Sequence, residues 1–302
     1  MRIVFVLCEG PHDVAFLSRL LSSDGYLYYK NKVSEFPFPL GDWMVTSAKK
    51  LSIQDLNVDK VYKDLSCVLP NGAMVNDERG HLILLYSMNG DSRKEERMSI
   101  INKLREWTSV PENEKEFSIL EESGEENDEK NDYGLFILFD ADDRGIDARL
   151  EEIKNEIRGI FPIVNSIDRN GCVVAENKFK IGAYVFADHK TGTGTLEDIL
   201  LPLMKDGDEA MFDDAEAFLI NHKNEERLKP LVFRKNESGK IIEKRKRKNT
   251  YHRIKSILGV VGQLQNSGTS NTVCIEKADY ITLNKIKSDP ICQEIIRMFR
   301  GL

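Results

Sequence analysis

Two short motifs gather carboxylates where they could do chemistry. The first is Cys8-Glu9-Gly10-Pro11-His12-Asp13 and the second is Phe139-Asp140-Ala141-Asp142-Asp143-Arg144-Gly145. Each follows an unbroken apolar run of strand length, residues 3–8 and 134–139. Unbroken apolarity points to strands covered on both faces, as in a parallel sheet. Acids just past such strands lie at the edge where open α/β sheets bind ligands. Hard carboxylate oxygens in an Asp-x-Asp spacing suit Mg²⁺, or Mn²⁺, held by one or two carboxylates with waters and substrate phosphates. A plainer reading stands beside this one: Asp13 lies in a first helical turn, where an acid complements the helix terminus, and Asp-x-Asp before a glycine also serves as an acidic turn.

Three further features could join that chemistry. Glu197 and Asp198 follow the turn Lys190-Thr191-Gly192-Thr193-Gly194-Thr195 and could complete a second metal site. They also read as the first turn of a helix capped by Thr195. Lys244 to Lys248 are five consecutive basic residues, a candidate phosphate patch or a solvated loop. His12, His189 and His252 are candidate acid–base groups. No Walker spacing and no Ser/His/Asp or Cys/His arrangement is legible.

The elements that must position these residues read as follows. Strands are expected at 3–8, 81–86, 134–139 and 181–187, and helices at 12–21, 51–65, 95–107, 145–160, 196–204, 209–222, 249–265 and 289–299. The acidic stretch 121–129 reads as a solvated linker. This is an α/β protein with a central, mostly parallel sheet flanked by helices. Residues 26–130 read as an insertion or a lengthened second α/β unit, and the C-terminal part reads as helical. The expected division is 1–205 and 206–302, the second part completing the first.

Bulk numbers bound the partners. The chain has 302 residues and a net charge of −7, so contact with nucleic acid must use local basic patches. Five cysteines without CxxC or zinc spacing read as reduced thiols and a cytoplasmic protein. No stretch approaches the roughly 20 apolar residues of a membrane span.

Glu-Gly-x-x-Asp after the first strand, with Asp-x-Asp after a later one, resembles the Toprim domain of topoisomerases, primases and OLD-family nucleases. Residues 1–25 and 134–205 carry the resemblance, and residues 188–202 resemble the third acidic motif of OLD-type domains and small stand-alone Toprim-like proteins. The resemblance implies a Rossmann-like fold and a Mg²⁺-dependent nuclease. Glu9, Asp140 and Asp142 would hold one metal ion, and Asp13 with Glu197 or Asp198 would help to hold another. Lys248 would stabilise charge during phosphodiester hydrolysis, with DNA the expected substrate and RNA an alternative. OLD proteins carry an ATPase ahead of this domain, and no ATPase motif occurs here. An ATPase would then be a separate partner chain, as in a phage-defence system, and a regulatory, non-catalytic subunit is the second expectation. Homo-oligomerisation is compatible with either. A receiver-like domain using Lys190 is disfavoured by the late Asp-x-Asp.

Overall fold

The computed structural model describes residues 1–50, 69–88, 93–109, 131–247 and 251–302. The helix expected at 51–65 and the linker at 121–129 lie outside the described residues. The chain divides into two units, Met1–Leu196 with Thr282–Leu302, and Glu197–Ile281.

The first unit is built on a seven-stranded sheet. Its strands are β1 (Arg2–Cys8), β2 (Leu27–Tyr28), β3 (Gly72–Asn76), β4 (His81–Ser87), β5 (Asp132–Asp140), β6 (Val173–Glu176) and β7 (Phe179–Phe186), in the order β2-β3-β4-β1-β5-β7-β6. The central pairs β4–β1, β1–β5 and β5–β7 are parallel, while β2, β3 and β6 close the edges antiparallel. This is the expected mixed α/β architecture. Residues 72–109 correct the insertion reading in favour of its alternative: β4 pairs directly with β1, so the segment builds the centre of the sheet.

The continuous apolar runs follow from cover on both faces. Ile3, Phe5, Leu7, Leu84, Tyr86, Leu135 and Ile137 point to one side. That side is covered by α2 (Leu40–Lys50), α3 (Lys94–Ser109) and α4 (Ile146–Ile157), which supply Leu40, Met44, Ile100, Ile101, Leu104, Leu150 and Ile153 to a single core cluster. On the other side lie α1 (Pro11–Ser23) and α10 (Pro290–Arg300), which follows the short α9 (Leu283–Ser288), with the Phe136 and Phe299 rings 5.3 Å apart. Helix α10 starts as its sequence dictates, with Asp289 accepting the Cys292 N–H at 2.8 Å and Pro290 in the first turn. Residues 282–302 thus return to the first unit, and the second unit opens at Glu197, so the boundaries differ from 1–205 and 206–302.

The second unit contains α6 (Glu209–His222), a hairpin of β8 (Leu231–Lys235) and β9 (Ile241–Arg245), α7 (Arg253–Gln265) and α8 (Asn271–Lys277). It also takes up most of α5 (Leu196–Lys205). Phe212 and Tyr280 meet edge to face at 5.8 Å, and Tyr280 donates to the Val261 carbonyl at 3.5 Å. The hairpin corrects the loop reading for Lys244 and Arg245, which lie in β9. The helix expected at 249–265 starts at Arg253. Among the described residues, no helix is long and apolar enough to cross a membrane.

At the N-terminal end of the parallel strands, His81 is buried and its Nδ1 meets the Tyr26 hydroxyl at 2.9 Å. Burial, and then the positive charges of Arg2, Arg79 and Lys180, lower its pKa from 6.5 to about 4. The fold therefore favours neutral His81, while the unfolded chain takes up a proton near its ordinary pKa. This contribution is complete above about pH 6.5 and falls away as pH drops toward about 4, where the loss amounts to about 3 kcal/mol. Thermal melts of the wild type should fall more steeply over this window than those of His81→Gln; parallel curves would refute the assignment.

Candidate active site

The parallel strands run β4-β1-β5-β7, so the chain leaves β1 toward one side for β4 and toward the other for β5. The crevice between the carboxyl ends of β1 and β5 is therefore the switch point of the sheet, the place where open α/β sheets bind ligands. Cys8 pairs with Leu138 in this register, which puts Glu9 and Asp140 together just beyond the last rungs. The Asp140 N–H donates to Glu9 Oε2 at 3.0 Å. Asp140 Oδ1 in turn accepts the Leu196 N–H at 2.8 Å, tying the start of α5 to the end of β5.

Asp142 is held by its backbone. Its φ of +49° is left-handed, a conformation that aspartate tolerates better than most residues. It forms an isolated bridge with Gly194, with both N–H to O distances 2.8 Å. The turn expected at 190–195 is thus the partner that fixes the Asp-x-Asp loop, and it is closed by Gly192 and Thr193 bonding back to Asp188. Gly145, at φ 86° and ψ 164°, caps α4 in a region open essentially to glycine alone. The Asp142 carboxylate is 42% exposed and receives Arg144 at 3.3 Å.

Asp13 is 4% exposed, and its Oδ2 accepts the Gly10 N–H at 2.7 Å. Its plainer role as the closing acid of the first helical turn is therefore realised. Burial, and then the charge of Asp13, push the Cys8 thiol well above its ordinary pKa. Glu197 and Asp198 open the second unit, where Glu197 is buried and paired with Lys255 at 3.1 Å. Lys248 lies outside the described residues. Lys246 continues the hairpin ladder, its N–H donating to the Pro230 carbonyl at 2.8 Å. His252 caps α7 through Nδ1, and His189 is an exposed turn residue.

Two arginines that the motif reading passed over sit beside these acids. Arg149, 4% exposed, reaches Glu9 Oε2 at 3.6 Å and Glu152 at 3.0 Å. Arg97, 2% exposed, forms a two-pronged bond to Glu156 at 2.9 and 3.0 Å. Both guanidinium carbons lie over the Phe139 ring, at 5.0 and 5.3 Å from its centre. Their signal was in the sequence: Arg149 falls three residues after Ile146 and four before Ile153, and Arg97 falls four before Ile101. A charge within an apolar helical stripe has to be paired when it is buried.

The acids are of the right kind for a hard divalent cation, yet each one described here already has partners. Among the described residues, no three His, Cys, Asp or Glu side chains stand close enough to hold a metal ion. A cavity of about 650 Å³ opens at the opposite, N-terminal end of the strands, lined by Met1, Tyr26, Tyr28, Tyr29 and Leu82 among others. It contains none of these acids, so the strand topology locates the candidate site and the cavity does not.

The family model described as "Protein of unknown function (DUF3226)" matches residues 4–302. The chain belongs to the DUF3226 family. The match spans both units and includes both acidic motifs. A comparison with curated proteins returns no match. Among solved structures, the chain is similar to the crystal structure of hypothetical protein PH0156 from Pyrococcus horikoshii OT3, at 13% identity and a TM-score of 0.48, over 100% of this chain and 95% of that one.

Proposed function

We propose that this chain is a Mg²⁺- or Mn²⁺-dependent nuclease of the Toprim kind, hydrolysing phosphodiester bonds in nucleic acid. The observation that carries the reading is the joining of Glu9 and Asp140 at the β1/β5 switch point. Glu9 and Asp140 would hold the cation directly and Asp142 through its water shell, since no three acids among the described residues stand close enough for direct binding, with water and substrate phosphate as the remaining ligands, as is common for Mg²⁺. A cation bound there would supply electrostatic stabilisation to the charge that develops on the reacting phosphate. The chain's own residues do the rest. Arg149 fixes the Glu9 carboxylate against the end of β5, and the Gly194 bridge fixes the direction of Asp142. The backbone of Leu196 keeps one Asp140 oxygen turned toward α5.

A second reading has its own support. Because Glu9, Asp13 and Asp140 already accept backbone N–H groups, they also suit a regulatory subunit that binds a partner, such as a separate ATPase in a defence system, without turnover. Incubating the full chain with supercoiled plasmid, single-stranded DNA and RNA, in Mg²⁺ or Mn²⁺ and then in EDTA, separates the two. Cleavage that disappears with EDTA supports the nuclease. No cleavage of any substrate, alone or with a candidate ATPase, sinks it in favour of the regulatory reading.

A further inference from the structure

The hairpin of the second unit stands apart from the rest of the chain in charge and in burial. Between Lys229 and Arg247 there are eight lysines and arginines against two glutamates, in a protein whose net charge is −7. All but Val232 of the ten strand residues are exposed. Phe233 and Ile241, which share a face, are 66% and 63% exposed.

The backbone is nevertheless well specified. The ladder runs from Leu231 opposite Arg245 to Lys235 opposite Ile241. The turn Asn236–Lys240 closes through the Asn236 N–H to the Lys240 carbonyl at 2.9 Å, with Gly239 at φ 77°. At the other end Arg245 donates to the Lys229 carbonyl at 3.1 Å.

Directly opposed residues share a face of an antiparallel pair. Lys235 and Arg245 therefore lie on one face, with Phe233, Ile241 and Glu243, and Arg234 and Lys244 lie on the other, with Val232 and Ile242. Positive charge on both faces is the deciding feature. A bilayer or an acidic protein surface would meet one face only. The major groove of B-DNA is about 12 Å wide, admits a two-stranded ribbon and presents a phosphate backbone along each of its walls. A-form RNA offers a major groove too deep and narrow for it.

We infer that the β8–β9 ribbon is a duplex-DNA-binding arm that enters the major groove, its two basic faces meeting the two phosphate backbones and Phe233 and Ile241 packing against the deoxyriboses beside one of them. This deepens the nuclease reading by naming duplex DNA as the substrate class, and it can be tested apart from catalysis. The probe is a labelled DNA duplex of roughly 20 base pairs, long enough to cover such a footprint, with the full chain in EDTA across a salt series. Anisotropy should show binding whose salt slope falls by about 2 in Arg234→Gln/Lys244→Gln, since each lost phosphate contact removes about 1. Affinity should drop about tenfold or more, while the charge-keeping pair Arg234→Lys/Lys244→Arg retains both. Unchanged melting curves would show that each variant is folded.

Three results overturn the inference: an unchanged slope in the Gln pair, equal affinity for duplex RNA, or binding to vesicles rich in phosphatidylserine without binding to the duplex. Binding without metal-dependent cleavage leaves the arm standing and removes the nuclease. Cleavage that survives with unaltered DNA affinity in the Gln pair removes the arm and leaves the nuclease.

Discussion

Asp140→Asn and Glu9→Gln should each lower metal-dependent cleavage by about 10²–10³-fold, the usual cost of removing one preorganised electrostatic group from an active site. Both changes keep the geometry and remove only the charge. Asparagine retains the Oδ1 that accepts the Leu196 N–H, and glutamine retains an oxygen for the Asp140 N–H. Arg149 keeps Glu152 when Glu9 is neutralised. Folding should therefore survive, with melting points within a few degrees of wild type. The measurement is the single-turnover rate against Mg²⁺ concentration. Variants that are folded and still cut at the wild-type rate would take both carboxylates out of the chemistry. A rate recovered at high Mg²⁺ would assign the lost group to cation binding rather than to the reacting atoms.

Phe5→Ala should cost about 3–5 kcal/mol, the range for deleting a buried aromatic side chain from a core. Phe5 is 1% exposed in the middle of β1. Its ring stacks on Tyr86 at 5.9 Å with a 6° tilt, and contacts Trp107 at 6.1 Å and Trp43 at 6.4 Å. Those are the chain's two tryptophans, so the fluorescence change in urea reports this core directly. Phe5→Leu, which keeps most of the volume, should cost clearly less. Equal losses in the two variants would mean that the cost lies in strand propensity rather than in packing.

The parts of the fold set by hydrophobic patterning were legible. The runs at 3–8, 81–86, 134–139 and 181–187 are all parallel strands of one sheet, because a strand buried on both faces has to be apolar at every position. The hairpin at 231–245 was not legible. Leu231 to Lys235 and Ile241 to Arg245 mix apolar and basic residues on each face, so neither the period of two nor the period of 3.6 appears, and the Asn-Glu-Ser-Gly turn was the one local signal. Residues 282–302 were recognised as helical at 289–299, but their return to the first unit depends on contacts such as Phe299 with Phe136, which no local pattern records.

At the candidate site, sequence placed Glu9 and Asp140 at strand ends, and register then brought them together. Asp13 illustrates the opposite outcome. Its spacing from Glu9 fitted both a cluster of acids and a helix-start acid, and the structure shows the second role, with Oδ2 accepting the Gly10 N–H three residues back. Arg149 and Arg97 were missed because attention to acids passed over charges embedded in the apolar faces of α4 and α3. Read as violations of helical amphipathicity, both would have been found.

The bond from the Asp140 amide to the Glu9 side chain occupies the position where the next rung of the β1–β5 ladder would fall. The sheet therefore ends on a side chain. On the nuclease reading, a cation that drew Glu9 away would loosen this last stitch of the strand pair. Proton exchange at the Asp140 amide would then gauge occupancy: slow while Glu9 is engaged with the backbone, faster once it turned to a cation, and readable by NMR without a substrate or a label on the ligand.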